Sequence, residues 1–155
     1  MIKSCAFIPS SVVKESLAQA SVDGKRELEP LKSFAKEHGL PLNILEDKNV
    51  VNDAEVHRHK DDLWICLSGE VIFTVGGEMD APWAKQLPDG GVDDKEIKAK
   101  KINNGTQHTL HEGDILYIPA GQPHTHETKT EARLYIIKLP AKETVPLEQV
   151  PGWKQ

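Results

Sequence analysis

Apolar and polar residues alternate in short runs through most of the segment 42–139, which is the pattern of strands with one buried face. In residues 62–68 the aliphatic side chains share one face of a strand and the other side chains share the opposite face. Turn residues separate the runs at roughly the 8–12-residue spacing of all-β folds, and no helix long enough for a crossover is predicted between them. The pattern therefore predicts an all-β sandwich or barrel.

The flanking segments have different patterns. Residues 1–41 are predicted to form an N-terminal arm with short helices. The second helix is predicted over Leu31–His38, because Gly39 is a typical helix-ending residue. Residues 140–155 contain prolines and are predicted to form an extended tail on the surface.

Two regions of the barrel segment have distinctive turn residues. Strands are predicted over residues 42–46 and 50–56, with a turn at residues 47–49 between them. Residues 76–91 are rich in glycine and proline and predict a long loop. This loop is either a lid over a binding site or an extended hairpin connection whose Trp83 packs on a neighbouring element.

Composition narrows the function. The formal net charge is −5 and no basic stripe is present, so nucleic acid is not an expected partner. No apolar run approaches the ~20 residues of a membrane helix, and no secretory leader is expected. Two cysteines are too few for a disulfide framework, so a cytoplasmic, reducing location is expected.

The candidate chemistry lies in two histidine-containing stretches. His57 and His59 project from one face of a predicted strand, and Asp62 follows closely. A third histidine, His124, ends a turn–strand–turn segment far downstream. If two strands bring these stretches together, three imidazoles and one carboxylate would suit a divalent transition metal such as iron, nickel, manganese or zinc.

The two stretches resemble the paired motifs of the cupin superfamily. The first family motif is His-x-His, a short gap, Glu, six residues and Gly, and residues 57–69 are similar to it. The second is Gly, five residues, Pro-x-Gly, two residues and His, which residues 113–124 match throughout. The resemblance implies a double-stranded β-helix, or jelly-roll barrel, with one metal at its open end. It implies that the metal ligands are His57, His59, Asp62 and His124.

The first motif departs from the family pattern at its acidic position. The family Glu is replaced by Asp62, and the gap of two residues before it is shorter than in the family by one or two residues. Asp61 could take the place of the family Glu, or the carboxylate could be missing from the site.

Three further residues are candidates for catalysis. His126 shares strand parity with His124, so it could be a substitute ligand, a proton shuttle or an exposed neighbour. Arg133 and Tyr135 share one face of the last predicted strand. If that face points inward, Arg133 could hold a carboxylate or phosphate and Tyr135 could donate a proton. If it points outward, both are surface residues.

The resemblance implies a metal-dependent enzyme that acts on a small polar or anionic molecule bound in the barrel. Dioxygenase chemistry is the first hypothesis, and isomerase or lyase chemistry is the second. A non-catalytic module that binds a metal or a small ligand is an alternative from another class. Members of the superfamily often pair through strand faces, so a homodimer is expected.

Overall fold

The structure is a computed structural model that describes residues 3–154. Within these residues, two short helices precede the long strands, and a 3-10 helix lies at Leu147–Gln149. The helices are α1 (Ser10–Leu17) and α2 (Leu31–His38). The strands are β1 (Gly24–Glu27), β2 (Leu42–Val51), β3 (Ala54–His57), β4 (Lys60–Val75), β5 (Glu78–Met79), β6 (Trp83–Gln86), β7 (Val92–Ala99), β8 (Ile102–Asn103), β9 (Thr106–His111), β10 (Ile115–Ile118) and β11 (His124–Pro140). No helix within residues 3–154 is long and apolar enough to cross a membrane.

The barrel is built around the two long strands β4 and β11. They pair with each other in antiparallel fashion, and register shifts along the pairing bend them. β4 also pairs with β9 and β10, whereas β11 also pairs with β2 and β3. From these partners the sheet continues through β7 to β6 on one side and to β1 on the other. This arrangement is the jelly-roll barrel of the cupin fold and confirms the predicted all-β class.

The inner faces of the strands enclose the main hydrophobic core. Trp64 and Phe73 pack together there with ring centroids 5.2 Å apart. Asp62, Trp64 and Cys66 are buried on one face of β4, while the side chains between them are partly exposed. The strand is therefore two-faced, as its sequence predicts. The other buried members of this core are Leu45, Val71, Leu110, Ile118, Ala132, Leu134 and Ile136.

The N-terminal arm covers the outer face of β2 and β11. Helix α2 has the predicted bounds and ends at Gly39, whose φ of +59° is left-handed. Leu28 and Leu31 are fully buried against Ile44 of β2. The arm thus removes from water an apolar sheet face that would otherwise be exposed.

Two predicted details need correction. There is no turn at residues 47–49, because β2 runs unbroken from Leu42 to Val51 and pairs with both β1 and β11. The C-terminal tail is not simply extended on the surface, because Val150 is buried against β-strand residues such as Met79 and Ile97. The glycine-rich segment after β4 forms β5 and β6, and Trp83 packs on this same cluster, which favours the hairpin alternative.

Replacing Gly69 with alanine should destabilise the barrel by at least about 3 kcal/mol. Gly69 has a φ of +76°, and an added Cβ would overlap the carbonyl oxygen of Glu131 and lie 2.9 Å from its carbonyl carbon. Both atoms are backbone, so no side-chain rotation relieves the overlap. Urea denaturation followed by circular dichroism measures the free energy of unfolding.

Gly90 is the matched control for this prediction. Its φ is +86°, but an added Cβ would meet nothing within 4 Å. Gly90→Ala should therefore cost only the backbone strain of about 1–2 kcal/mol. Equal losses in the two variants would show that close packing at Gly69 is unimportant.

Candidate metal centre

Four buried acidic and imidazole side chains converge at one end of the barrel. Glu55, His57, Asp62 and His124 each offer one ligand atom, and these atoms all lie within 4.8 Å of one another. His57 Nε2 lies 3.4 Å from Glu55 Oε1 and 3.5 Å from Asp62 Oδ2. His124 Nε2 lies 3.6 Å and 3.4 Å from the same two oxygens. Two imidazole nitrogens thus alternate with two carboxylate oxygens.

Three strands place these side chains. Glu55 and His57 are two residues apart on β3, so both project from its inner face. The chain turns at residues 58–59 and returns as β4, where Asp62 is the third residue and points inward. His124 opens β11 directly opposite Glu55 in the strand register. The cluster therefore rests on the barrel framework and not on a loop.

The donor set fits a divalent metal ion. Ligands 2.0–2.2 Å from an ion lie about 3.0–3.5 Å apart at tetrahedral or octahedral angles, close to the separations in the cluster. Within the described residues, His124 Nε2 and Asp62 Oδ2 are buried and have no hydrogen-bond partner. The other ring nitrogen of His124, Nδ1, lies 3.0 Å from the carbonyl oxygen of Gln122. If that carbonyl accepts the Nδ1 proton, Nε2 is the nitrogen that would bind a metal after losing its own proton.

Two lysines contact the cluster from its rim. Lys98 Nζ donates to Glu55 Oε2 at 2.7 Å, so Glu55 keeps its other oxygen for the cluster. Lys138 Nζ donates to Asp62 Oδ1 at 2.8 Å and to His57 Nε2 at 2.9 Å. The lysine side chains are 24% and 31% exposed, whereas Asp62 and His124 are almost completely buried. The rim at these lysines is therefore the solvent-facing side of the cluster.

The close approach of the four side chains shifts the pKa of each of them. Burial disfavours the charged form of Asp62, but the adjacent imidazoles of His124 and His57 and the charge of Lys138 hold its pKa far below the usual value. Burial likewise opposes ionisation of Glu55, and the same two imidazoles lower its pKa. In return, and against the effect of burial, the carboxylates raise the pKa of His124 to about 9. A metal ion would therefore displace a proton from His124.

The pKa of His57 is shifted in opposite directions by burial and by its neighbours. Burial lowers its pKa, whereas Asp62 and Glu55 raise it, with a net upward shift. The hydrogen bond from Lys138, however, requires a lone pair on His57 Nε2. With the donor only 2.9 Å away, the geometry favours an unprotonated Nε2 in this arrangement.

The structure brings together three of the four predicted ligands and replaces the fourth. His59 follows the end of β3, is partly exposed and is not a member of the cluster, which contains Glu55 instead. If Glu55 and His57 take the places of the two motif histidines, four residues separate His57 from Asp62. The gap before the acidic residue is then no longer shorter than in the family motif. Strand alternation was the sequence signal that could have indicated Glu55, because residues 55, 57 and 59 of one strand project from the same face.

The neighbouring carboxylate, Asp61, has a different role. It accepts hydrogen bonds from the backbone N–H of Ala120 and from the Tyr117 hydroxyl, each at 2.7 Å. It therefore connects β4 to β10 and the following turn, and Asp62 is the carboxylate that reaches the cluster.

His126 lies further along β11 in the barrel interior. Its Nδ1 is 2.6 Å from Asp47 Oδ2, and its ring packs between Trp64 and Phe73, each with a centroid 5.0 Å away. Its Nε2 is buried without a hydrogen-bond partner among residues 3–154. Burial lowers the pKa of His126 despite the nearby Asp47 carboxylate. The ring is thus held in the interior with one free nitrogen.

Arg133 and Tyr135 do not reach the cluster. Ala132, Leu134 and Ile136 point into the barrel core, so Arg133 and Tyr135 between them face outward, beneath the N-terminal arm. Arg133 forms a buried ion pair with Glu46, at 2.6 Å, and also binds backbone carbonyls of the arm. Tyr135 lines an apolar cavity of about 310 Å³ under the arm. The inward alternative for this face of β11 is therefore incorrect.

The fold and the four-residue cluster define a cupin with a candidate metal centre. The sequence profile of the JmjC domain family (JmjC_2) matches residues 51–145, more than half of the chain. The chain belongs to this family, within the cupin superfamily. The match includes all four cluster residues.

The solved structures that resemble the chain have low sequence identity to it. Escherichia coli ycfD is 21% identical with a TM-score of 0.53, and the match covers 84% of this chain and 37% of that one. An oxalate oxidase is 17% identical with a TM-score of 0.48, covering 88% and 59%. Hydroquinone 1,2-dioxygenase from Sphingomonas sp. TTNP3 is 12% identical with a TM-score of 0.46, covering 74% and 68%. The chain thus spans less than two thirds of the length of the first two proteins. No curated protein sequence matches it.

Proposed function

We propose that this protein is a mononuclear metal enzyme that acts on a small polar or anionic molecule, with dioxygenase chemistry as the first candidate. The observation that carries the proposal is the convergence of four potential ligand atoms, two of which are buried without a hydrogen-bond partner among the described residues. Leaving such atoms unpaired is costly, whereas coordination to an ion would satisfy both.

In this proposal Glu55, His57, Asp62 and His124 hold the ion. A bound iron, nickel, manganese or zinc ion would supply Lewis-acid chemistry, and iron would also supply oxygen activation. The remaining contacts position these side chains. The Gln122 carbonyl fixes the His124 ring through Nδ1, and Lys98 orients Glu55 through its outer oxygen.

His126 is proposed to move a proton at Nε2. Asp47 holds the opposite ring nitrogen and would stabilise the imidazolium that forms. Burial keeps the ring neutral beforehand, which suits a proton acceptor. Trp64 and Phe73 flank the ring and keep water from it.

The His126–Asp47 pair also favours a second candidate function. Isomerase and lyase reactions on small acids depend on proton abstraction by a positioned base, and this pair provides a base on the inner barrel wall. The two candidates differ in one measurable respect, which is the consumption of oxygen.

The test uses the full chain loaded anaerobically with Fe(II) and mixed with a panel of small carboxylic acids in an oxygen-electrode cell. The dioxygenase proposal expects oxygen uptake that needs both Fe(II) and one of the acids, and that is absent in His124→Ala. Conversion of an acid without oxygen uptake would favour the isomerase or lyase candidate. If Fe(II), Ni(II), Mn(II) and Zn(II) all fail to bind, the enzyme proposal is wrong in both forms.

A further inference from the structure

We propose that Lys138 anchors the anionic group of the molecule that this site binds, an inference that rests on the metal site proposed above. Lys138 lies on the inner face of β11, opposite Asp62 in the strand register. Its Nζ is 2.8 Å from Asp62 Oδ1 and 2.9 Å from His57 Nε2. It is therefore the cation in direct contact with two of the candidate ligands.

The hydrogen-bond capacity of the ammonium group supports this role. Lysine offers three N–H donors and no acceptor, and here two acceptors are within reach, Asp62 Oδ1 and His57 Nε2. A metal ion on His57 would use the same lone pair that now accepts from Lys138. Lys138 would then keep Asp62 Oδ1 and present its other donors to whatever binds beside the ion. An anionic oxygen is the acceptor that satisfies them best.

Charge supports the same assignment. A divalent ion would balance the two carboxylates of the cluster, Glu55 and Asp62, and the positive charge of Lys138 would remain at the rim. The Lys138 side chain is 31% exposed, so a small molecule can reach it from solvent. The site thus favours a ligand with a carboxylate over a neutral analogue of the same shape.

Lys98, the other lysine at the rim, makes different contacts. Its Nζ lies 2.7 Å from Glu55 Oε2 and 3.2 Å from Glu96 Oε1, so both of its acceptors are carboxylate oxygens. Neither of these oxygens belongs to the set of four converging atoms. Metal binding would leave these ion pairs in place, and Lys98 would have no reason to turn to the ligand.

The test measures anion binding to the full-length protein loaded with Co(II), whose visible spectrum changes when its ligands change. Glycolate is titrated into each variant, and glycolamide is its neutral isostere. Lys138→Met should weaken glycolate binding by at least about tenfold, the loss expected for one charge-assisted hydrogen bond. Lys138→Arg and Lys100→Met, which removes an exposed lysine paired with Asp53 outside the cluster, should stay within about threefold of the native protein. Glycolamide binding should not respond to Lys138→Met.

Each outcome decides the inference. Unchanged glycolate affinity in Lys138→Met would overturn it. Loss of Co(II) binding in that variant would also overturn it, because Lys138 would then serve the metal site itself. Thermal melting checks that the variant is folded, and Lys138→Gln repeats the titration if Lys138→Met is not. Failure of the native protein to bind Co(II) appears before glycolate is added, and it would refute the metal site itself.

Discussion

Replacing His57 with alanine is expected to lower the affinity for a divalent metal ion by more than about 100-fold, beyond the 10–100-fold typical of residues that only support a ligand. His57 Nε2 lies within 3.5 Å of both carboxylates of the cluster, so its loss removes one of four converging donors. Isothermal titration of the purified protein with Co(II) or Zn(II) measures the dissociation constant.

His59→Ala is the matched control, because it removes the same side chain two residues away. His59 is partly exposed and lies outside the four-residue cluster. Its replacement should leave the affinity within about threefold of the native value, a change of less than 1 kcal/mol. The reverse result, with His59 essential and His57 dispensable, would rule out the cluster of Glu55, His57, Asp62 and His124 as the metal site.

Replacing Arg133 with alanine is expected to destabilise the protein by about 3 kcal/mol, the lower end of the cost of breaking a buried ion pair. Arg133 binds the fully buried Glu46 through both Nε and a terminal nitrogen, at 2.8 and 2.6 Å, and it also binds carbonyls of Leu17 and Gln19. Burial raises the pKa of Glu46, but the Val22 N–H, Arg26 and Arg133 together lower it by more, so the net shift is downward and the carboxylate stays charged. Calorimetry should show a melting temperature lower by about 6–12 °C.

The control for Arg133 is an exposed ion pair. Lys100 contacts Asp53 at 3.0 Å, but the lysine side chain is 77% exposed. Lys100→Ala should move the melting temperature by no more than about 2 °C, because solvent screens such pairs. If Arg133→Ala melts like the native protein, the Glu46 ion pair does not hold the arm on the barrel.

Arg133 and Lys138 show what strand periodicity can predict and what it cannot. Alternation places Leu134, Ile136 and Lys138 on one face of β11 and Arg133 on the other. It does not say which face is inside, because a buried arginine under the N-terminal arm and an arginine in the barrel give the same pattern. The core contacts of Leu134 and Ile136 decide it, and those depend on the tertiary fold.

The sequence could likewise reveal some of the candidate ligands but not all of them. His57, Asp62 and His124 could be found from motif spacing, because that spacing follows from strand length and turn geometry. Glu55 could not be preferred over His59, since both share the parity of His57. The choice depends on where β3 ends, and β3 ends at His57 because the chain turns there to enter β4. Strand ends are set by pairing with neighbours, which local sequence does not specify.

In the proposed site a single metal ion would be held between Glu55, His57, Asp62 and His124. Anomalous diffraction from crystals soaked in Co(II), collected at the cobalt absorption edge, tests it most directly. We expect one strong peak about 2.0–2.2 Å from Nε2 of His57 and His124 and from one oxygen of each carboxylate. A peak bound by His59 in place of Glu55, or no peak within reach of His124, would rule out this ligand set.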